Sequence, residues 1–293
     1  MDTTLVDSQT VAIAAELKSN DIVTFKNATL AVTDGIALTG GKNGTVTGTT
    51  VQNFLTKLEG YSFNAMTTCD YESDLVIEWT KRMRDEVGMK FQSVLYDSEG
   101  INYEGCVVTN LDADVMPWIT GALAGCEINK SLTNKVYDGE YLSQENALDY
   151  ASSYSQIELE DRIKKGMFAF HRVGDEVRVL MDINSLTEFT EEKGEVFKDN
   201  QTIRVCDQIA NDIAAIFNNY YLGKVPNDTA GRSSLKSDIV KHHQKLQTLR
   251  AIEGFTADDI TVEIGENKRS VVVIDNIVPI NAMTHLYMTV NVE

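Results

Sequence analysis

The chain has 293 residues, enough for one large domain or two ordinary ones. Hydrophobic residues make up 43% and charged residues 24%, the balance of an ordinary globular protein. The formal net charge of -18 repels phosphate backbones, which argues against direct nucleic-acid or anionic-membrane binding and suits partners with basic patches.

The start, Met1-Asp-Thr-Thr-Leu5, lacks the basic region and apolar core of a leader. No apolar run approaches the roughly 20 residues that span a bilayer. Synthesis in the bacterial cytoplasm without membrane insertion is expected. Cys69, Cys106, Cys126 and Cys206 form no CxxC pair and each sits in an apolar run, so buried free thiols are expected.

Short β-runs fill residues 21–38: Ile22-Val-Thr-Phe25, Leu30-Ala-Val32 and Ile36-Ala-Leu38. Gly40, Gly41, Gly44 and Gly48 then make a loop. Residues 51–58 read as a short helix and 63–67 as a strand. Residues 74–87 read as a helix with Leu75, Trp79, Met83 and Val87 on one stripe. Strands follow at 91–96 and 106–109. Residues 115–126 read as a helix burying Trp118, Ile119, Ala122 and Cys126, with Pro117 confined to its first turn. Such alternation predicts a layered α/β domain. Residues 167–170 and 177–180 flank a β-hairpin turn supplied by Gly174.

The last hundred residues differ in character. Ile203, Cys206, Ile209, Ile213, Ile216 and Tyr220 share a helical face from about Asn200 to a stop at Gly223. Ser233 or Ser234 is expected to cap a second helix with the stripe Leu235, Ile239, His242, Leu246 and Leu249. Two β-runs close the chain at 269–280 and 285–292. In the second, Leu286, Met288, Val290 and Val292 face one way, and Tyr287, Thr289 and Asn291 the other. A terminal strand of this kind suits pairing with a sheet, in its own subunit or a neighbour.

No catalytic or ligand-binding constellation emerges. In the loop at 39–45, Lys42 precedes Asn43 where a P-loop needs Ser or Thr, and the glycine spacing misses the dinucleotide fingerprint. His171, His242, His243 and His285 accompany no G-x-S-x-G elbow and no H-x-x-x-H spacing. His242 reads as a packed, hydrogen-bonded histidine, with His243 on a different helix face. Asp112, Asp114 and Asp97-Ser-Glu99 read as caps and solvated turns, residues 188–195 as solvated surface, and Trp79 and Trp118 as core. No catalytic residue, cofactor or metal is expected.

Seven phrases, in order along the chain, resemble the contractile tail sheath family of phages, prophages and phage-tail-like bacteriocins. They are Leu38-Thr-Gly-Gly-Lys-Asn-Gly44; residues 58–66 with Phe63-Asn64; Trp118-Ile-Thr-Gly-Ala-Leu-Ala-Gly125; Asp182-Ile-Asn-Ser-Leu-Thr187; Arg204-Val-Cys-Asp207 with Ile209; Tyr221-Leu-Gly-Lys-Val-Pro-Asn227; and Pro279 to Val292. The last is very like the sheath ending of Gram-positive prophages. The resemblance implies an N-terminal β remnant at 1–38, a subtilisin-like α/β central domain at 39–185 and an α+β C-terminal domain with terminal strands at 186–293. Members usually carry an N-terminal arm and a β-rich region before the Gly-Gly loop, so a truncated N-terminus is expected here.

The function implied is mechanical and non-enzymatic. Subunits stack as hexameric rings around a tail tube, with baseplate and tail terminator proteins as further partners, in a virion tail or phage-like particle. Each subunit adds strands to a neighbour's sheet, and Leu286, Tyr287, Met288, Thr289, Val290, Asn291 and Val292 are the candidate linking strand. The rival readings are a subtilisin-like hydrolase, possibly degenerate, and a cell-surface binding module.

Overall fold

The computed structural model describes residues 44–69, 72–109 and 111–292. The β-runs expected at 21–38 and most of the glycine loop lie outside the described residues.

Three parallel strands, β1 (Ala65–Met66), β2 (Gln92–Tyr96) and β3 (Cys106–Thr109), form a sheet in that order. Ser93 pairs with Cys106, Val94 with Val107 and Leu95 with Val108. Strand alternation therefore splits the apolar residues between two faces. Val94 and Val107 join one core cluster; Leu95, Cys106 and Val108 join another. Near-continuous apolar strands are what a parallel sheet covered on both faces requires.

Helices supply the covers. On the second face lie α1 (Gly48–Leu58), burying Val51 and Leu55, and α2 (Ser73–Lys81), burying Val76 and Trp79. A capping box between Thr47 and Thr50 starts α1. On the first face lies α3 (Met116–Gly125), burying Met116, Ile119 and Leu123. Each such side chain contributes roughly 1.5–3 kcal/mol when fully buried. Pro117 stands in the first turn of α3, where its missing N–H costs nothing.

Two expected stripes shift. Through α2 and the π turn that follows it, Leu75 and Val87 are exposed, and Val76, Trp79, Thr80 and Met83 face inward. A strict spacing of four drifts around a 3.6-residue turn, and a π-helical turn at Arg82–Val87 shifts the register further. In α3, Trp118 and Ala122 are only half-buried. The Trp118 ring stands edge-on to Tyr137 at 5.2 Å, and its Nε1 donates to Asp138 at 2.6 Å.

Two further helices were not foreseen: α4 (Gln144–Ser152), which joins the first core cluster through Ala147 and Ala151, and α5 (Gln156–Lys164). Their buried residues are Ala147, Ala151 and Leu159, too small and sparse to make a visible stripe. The hairpin of β4 (Phe170–Val173) and β5 (Glu176–Val179) follows, with Gly174 at φ 62° in the turn. Just before β4, Met167 bridges Val108 in parallel, which docks the hairpin segment on β3.

The C-terminal part is built on α6 (Asn200–Ile216) and α7 (Thr229–Thr248). A π turn at Phe217–Tyr221 continues α6, and Gly223 at φ 69° lies just beyond it. The wider turn exposes Tyr220 and buries Tyr221, whose hydroxyl donates to Asp238 at 2.6 Å. Asp228 caps α7 by accepting from the Gly231 N–H, ahead of the expected Ser233 or Ser234. Leu235, Ile239 and Leu246 are buried as expected, but Leu249 is exposed, and the fully buried histidine is His243. His242 and His243 reach different neighbours as expected, Asp212 of α6 and Asp275 in a later strand, although their Nδ1 atoms lie 3.4 Å apart.

Only one cysteine is fully buried: Cys106, whose thiol burial pushes up to about 12. Cys69 is exposed, and Cys126 and Cys206 are intermediate.

A bidentate ion pair ties α6 to the layered part. Arg84 donates to both carboxylate oxygens of Asp207, at 2.6 and 2.9 Å, and to the carbonyl of Phe91. Burial alone would lower the Arg84 pKa, but the facing carboxylate outweighs it and the net shift is upward. Removing one partner of such a pair strands a buried charge, at about 3–5 kcal/mol. Asp207→Ala is expected to lower unfolding stability by about that much in urea titrations, and Asp207→Asn by less because its amide oxygen still accepts.

Candidate subunit-linking interface

The last forty residues are positioned by a two-stranded hairpin, a short anchor and an outgoing ribbon. The hairpin pairs β7 (Ile260–Ile264) with β8 (Val271–Asp275), running from Ile260↔Asp275 to Ile264↔Val271. Val262, Val271 and Val273 face the α6–α7 core. Val272 and Ile274, on the opposite face, are about half exposed. Among the described residues no third strand joins this sheet, so both outer margins keep unpaired backbone groups. Asn227 secures the turn end by donating to the carbonyls of Ser270, at 2.8 Å, and Lys268, at 3.2 Å.

The anchor follows. β9 (Val278–Pro279) pairs with β6 (Ile252–Glu253), and the Ile280 N–H donates to the Ala251 carbonyl at 2.9 Å. Buried Gln201 then grips the chain from both sides of Asn281. Its Nε2 donates to the Ile280 carbonyl at 3.0 Å, and its Oε1 accepts from the Ala282 N–H at 2.9 Å. Asn281 accepts from Thr202 at 3.1 Å and donates to Asp199 at 2.8 Å. Burial, and then the nearby Asp182, lift the Asp199 carboxyl above its usual range, while the Asn281 bond opposes the shift.

Beyond Ala282 the chain makes no backbone hydrogen bond among the described residues. Leu286 is 86%, Tyr287 90%, Met288 75%, Val290 69% and Val292 92% exposed, and Thr289 and Asn291 are exposed too. The candidate linking residues thus sit together on one outgoing ribbon. The stacked rings of His285 and Tyr287, two residues apart, fit the side-chain spacing of an extended strand. The run expected at 269–280 divides instead into β8 and β9, which belong to different sheets. The sequence reading missed Gln201 and Thr202; their polar side chains at the start of α6 gave no periodic signal.

The phrases at 182–187 and 204–207 act as structural staples. Asp182 accepts from the Leu132 N–H and the Asn200 side chain, both at 2.9 Å, and from Arg204 at 3.3 Å. Asn200 also accepts from Gln92 of β2 at 2.8 Å. Asn184 donates to the Phe197 carbonyl at 2.9 Å, and Ser185 donates to the Tyr103 carbonyl at 2.8 Å. These polar groups are buried and paired, which binds β2, β3 and α6 into one body.

Residues 44–185 match the phage tail sheath protein central domain and residues 192–293 the phage tail sheath C-terminal domain. The chain is 30% identical over 336 residues to the phage-like element PBSX protein XkdK of Bacillus subtilis, covering all of this chain and 70% of that protein. Among solved structures, the sheath tail protein of Listeria innocua aligns with a TM-score of 0.75 at 28% identity, covering 94% of this chain and 67% of the other. That of Desulfitobacterium hafniense aligns at 0.72 and 30% identity, covering 94% and 70%. The fold and its outgoing ribbon define a structural, assembly-forming class of mixed helix and strand. The chain belongs to the phage tail sheath family.

Gln201→Ala removes both bonds to the anchor, a local loss of about 1–3 kcal/mol. Hydrogen exchange at the Ile280 and Ala282 amides is expected to rise roughly tenfold or more, with global unfolding little changed.

Proposed function

We propose that this chain is a subunit of a contractile sheath that polymerises with copies of itself as stacked hexameric rings around a tail tube. Contraction of the rings drives the tube through a cell envelope. Baseplate and tail terminator proteins bound the assembly at its two ends, in a virion tail or phage-like particle. The role is mechanical and non-enzymatic. The three-part division at 1–38, 39–185 and 186–293, and the subtilisin-like layering of the central part, belong to this reading.

One observation carries it. An anchored chain end projects a ribbon whose backbone groups find no partner among the described residues, from the same subunit that bears a hairpin joined by no third strand among them. Residues 286–292 of one copy add a strand to the β7–β8 hairpin of another. Strand addition supplies backbone hydrogen bonds, which keep subunits linked while rigid bodies rotate. Alternate side chains of the incoming strand cover Val272 and Ile274.

The hydrolase reading draws no support from the histidines. His242 and His243 lie against Asp212 and Asp275 in the α6–α7 core, not on the parallel sheet. A shared architecture carries no activity by itself.

Deleting residues 286–293 is expected to abolish tube formation in negative-stain microscopy while leaving a folded, dispersed subunit; unchanged tubes would refute the linking role. With so acidic a chain, contacts between copies and with the tube need basic partners, and added salt screens them within a Debye length of about 8–10 Å near physiological strength. Sedimentation across a salt series is expected to show assembly that depends on ionic strength; a flat response would refute the electrostatic part.

A further inference from the structure

The phrase Tyr221-Leu-Gly-Lys-Val-Pro-Asn227 lies away from the staples of the layered sheet and forms one wall of a cavity of about 90 Å³. Phe217, Tyr221, Leu222, Val225, Leu235 and Val271 give it an apolar lining. Val271 comes from β8, and no residue of β7 reaches the cavity. An apolar cavity of about 150 Å³ admits benzene, so this one has room for the end of an aliphatic side chain.

The wall is fixed in place. Gly223 turns the chain at φ 69°. Gly231 lets α7 start against the loop, since a Cβ there would lie 2.1 Å from the Pro226 carbonyl oxygen. Asn227 donates to the Ser270 carbonyl at 2.8 Å, and Arg232 donates to the Asn227 carbonyl and side-chain oxygens at 3.2 and 3.1 Å. Held this way, Leu222 and Val225 stay 57% and 38% exposed beside the cavity. They are apolar surface that the subunit positions but does not bury.

The neighbouring strand is oriented by its hydrogen bonds. The Gly265 N–H donates to the Ser270 carbonyl at 2.8 Å, and the Asn276 N–H to the Asp259 carbonyl at 3.1 Å. Alternation along an antiparallel ladder then makes Glu263↔Val272 and Thr261↔Ile274 the hydrogen-bonded pairs between them. Val271, Val273 and Asp275 therefore turn their backbone N–H and C=O away from β7, where no strand meets them among the described residues. The side chains of Val271 and Val273 lie on the core face, the same side as the cavity. Free backbone groups and an apolar recess thus lie along one margin, that of β8.

We propose that residues 286–292 of a second copy join the hairpin along β8, with Leu286, Met288, Val290 and Val292 on the core face and one of them seated in this recess. The inference rests on the strand addition proposed above and names its receptor. The occupant follows from alternation: a strand laid along β8 sends alternate side chains to opposite faces, and only the Leu-Met-Val-Val set is apolar throughout. The other set then places Tyr287 beside Val272 and Ile274. Backbone bonds would hold any extended segment. The recess sets which face turns inward, because a slip by one residue would offer it Tyr287, Thr289 and Asn291 instead.

The test uses the full-length chain carrying photoreactive benzoylphenylalanine in place of Met288. Tubes assembled from equal parts of light and heavy-isotope chain are irradiated, and crosslinks between copies are told apart by mass. These crosslinks are expected within residues 217–227 and at Val271. Crosslinks to residues 260–264 would put the ribbon on β7, which overturns the recess and leaves strand addition standing. Crosslinks confined to other surfaces overturn both. Wild type that forms no tubes removes the assembly itself, and the recess falls with it. In parallel, Leu222→Asp is expected to raise the concentration needed for tube formation about tenfold or more, the size of one aliphatic side chain's burial. Leu249→Asp, similarly exposed on α7, is expected to leave it unchanged. Equal effects of the two, or none from Leu222→Asp, overturn the recess. If the photoreactive chain alone fails to assemble, this comparison decides.

Discussion

Everything distinctive about this subunit follows from the demand of backbone N–H and C=O groups for partners. Through the layered sheet, the helices and the anchor at Ile280 and Ala282, that demand is met internally. Along the hairpin margins and residues 283–292, no partner is found among the described residues. Water can satisfy such groups, but water is equally present along any exposed chain. An added strand satisfies donors on both sides at once and buries alternate side chains as well. Under the proposed function, the ribbon and the hairpin margin are a self-complementary pair that the described residues leave unused.

For the ribbon to transmit force, its base has to be rigid. Gln201 and Asn281 hold the chain at the start of α6, and α6 is held in turn by Asp182, Asn200 and the Arg84–Asp207 pair. Tension on the ribbon would pass through side chains that are buried and mutually bonded rather than through a loop. The family phrases map onto these staples: Asp182 and Asn184 bind the layered part to α6, Asp207 receives Arg84, and Asn227 steadies the hairpin turn. Their chemistry is structural, in keeping with a family defined by assembly.

Local signals succeeded where one element's own pattern decides its fate. The apolar strands at 92–96 and 106–109, Pro117 in a first turn, the glycine turn at Gly174 and the long α6 stopped near Gly223 were all legible. They failed where apolar content was thin. The Ala-rich α4 and the charged α5 left no stripe, although Ser155 and Glu158 spell a capping box that could have revealed α5. The π turns could not be foreseen either, because each is chosen by packing: one sets Arg84 facing Asp207, the other turns Tyr221 inward to Asp238.

By itself the sequence determined the family, the alternation of helix and strand, and the two-sided character of the terminal ribbon, because ordered phrases and residue periodicity are properties of the chain alone. Only the tertiary structure decided that the two closing β-runs have different fates. The first folds back into the hairpin and the anchor, and the second pairs with no strand among the described residues. The physical reason is that a strand's pattern states what it could pair with, while the position of the anchor at α6 states whether a partner lies within its own subunit.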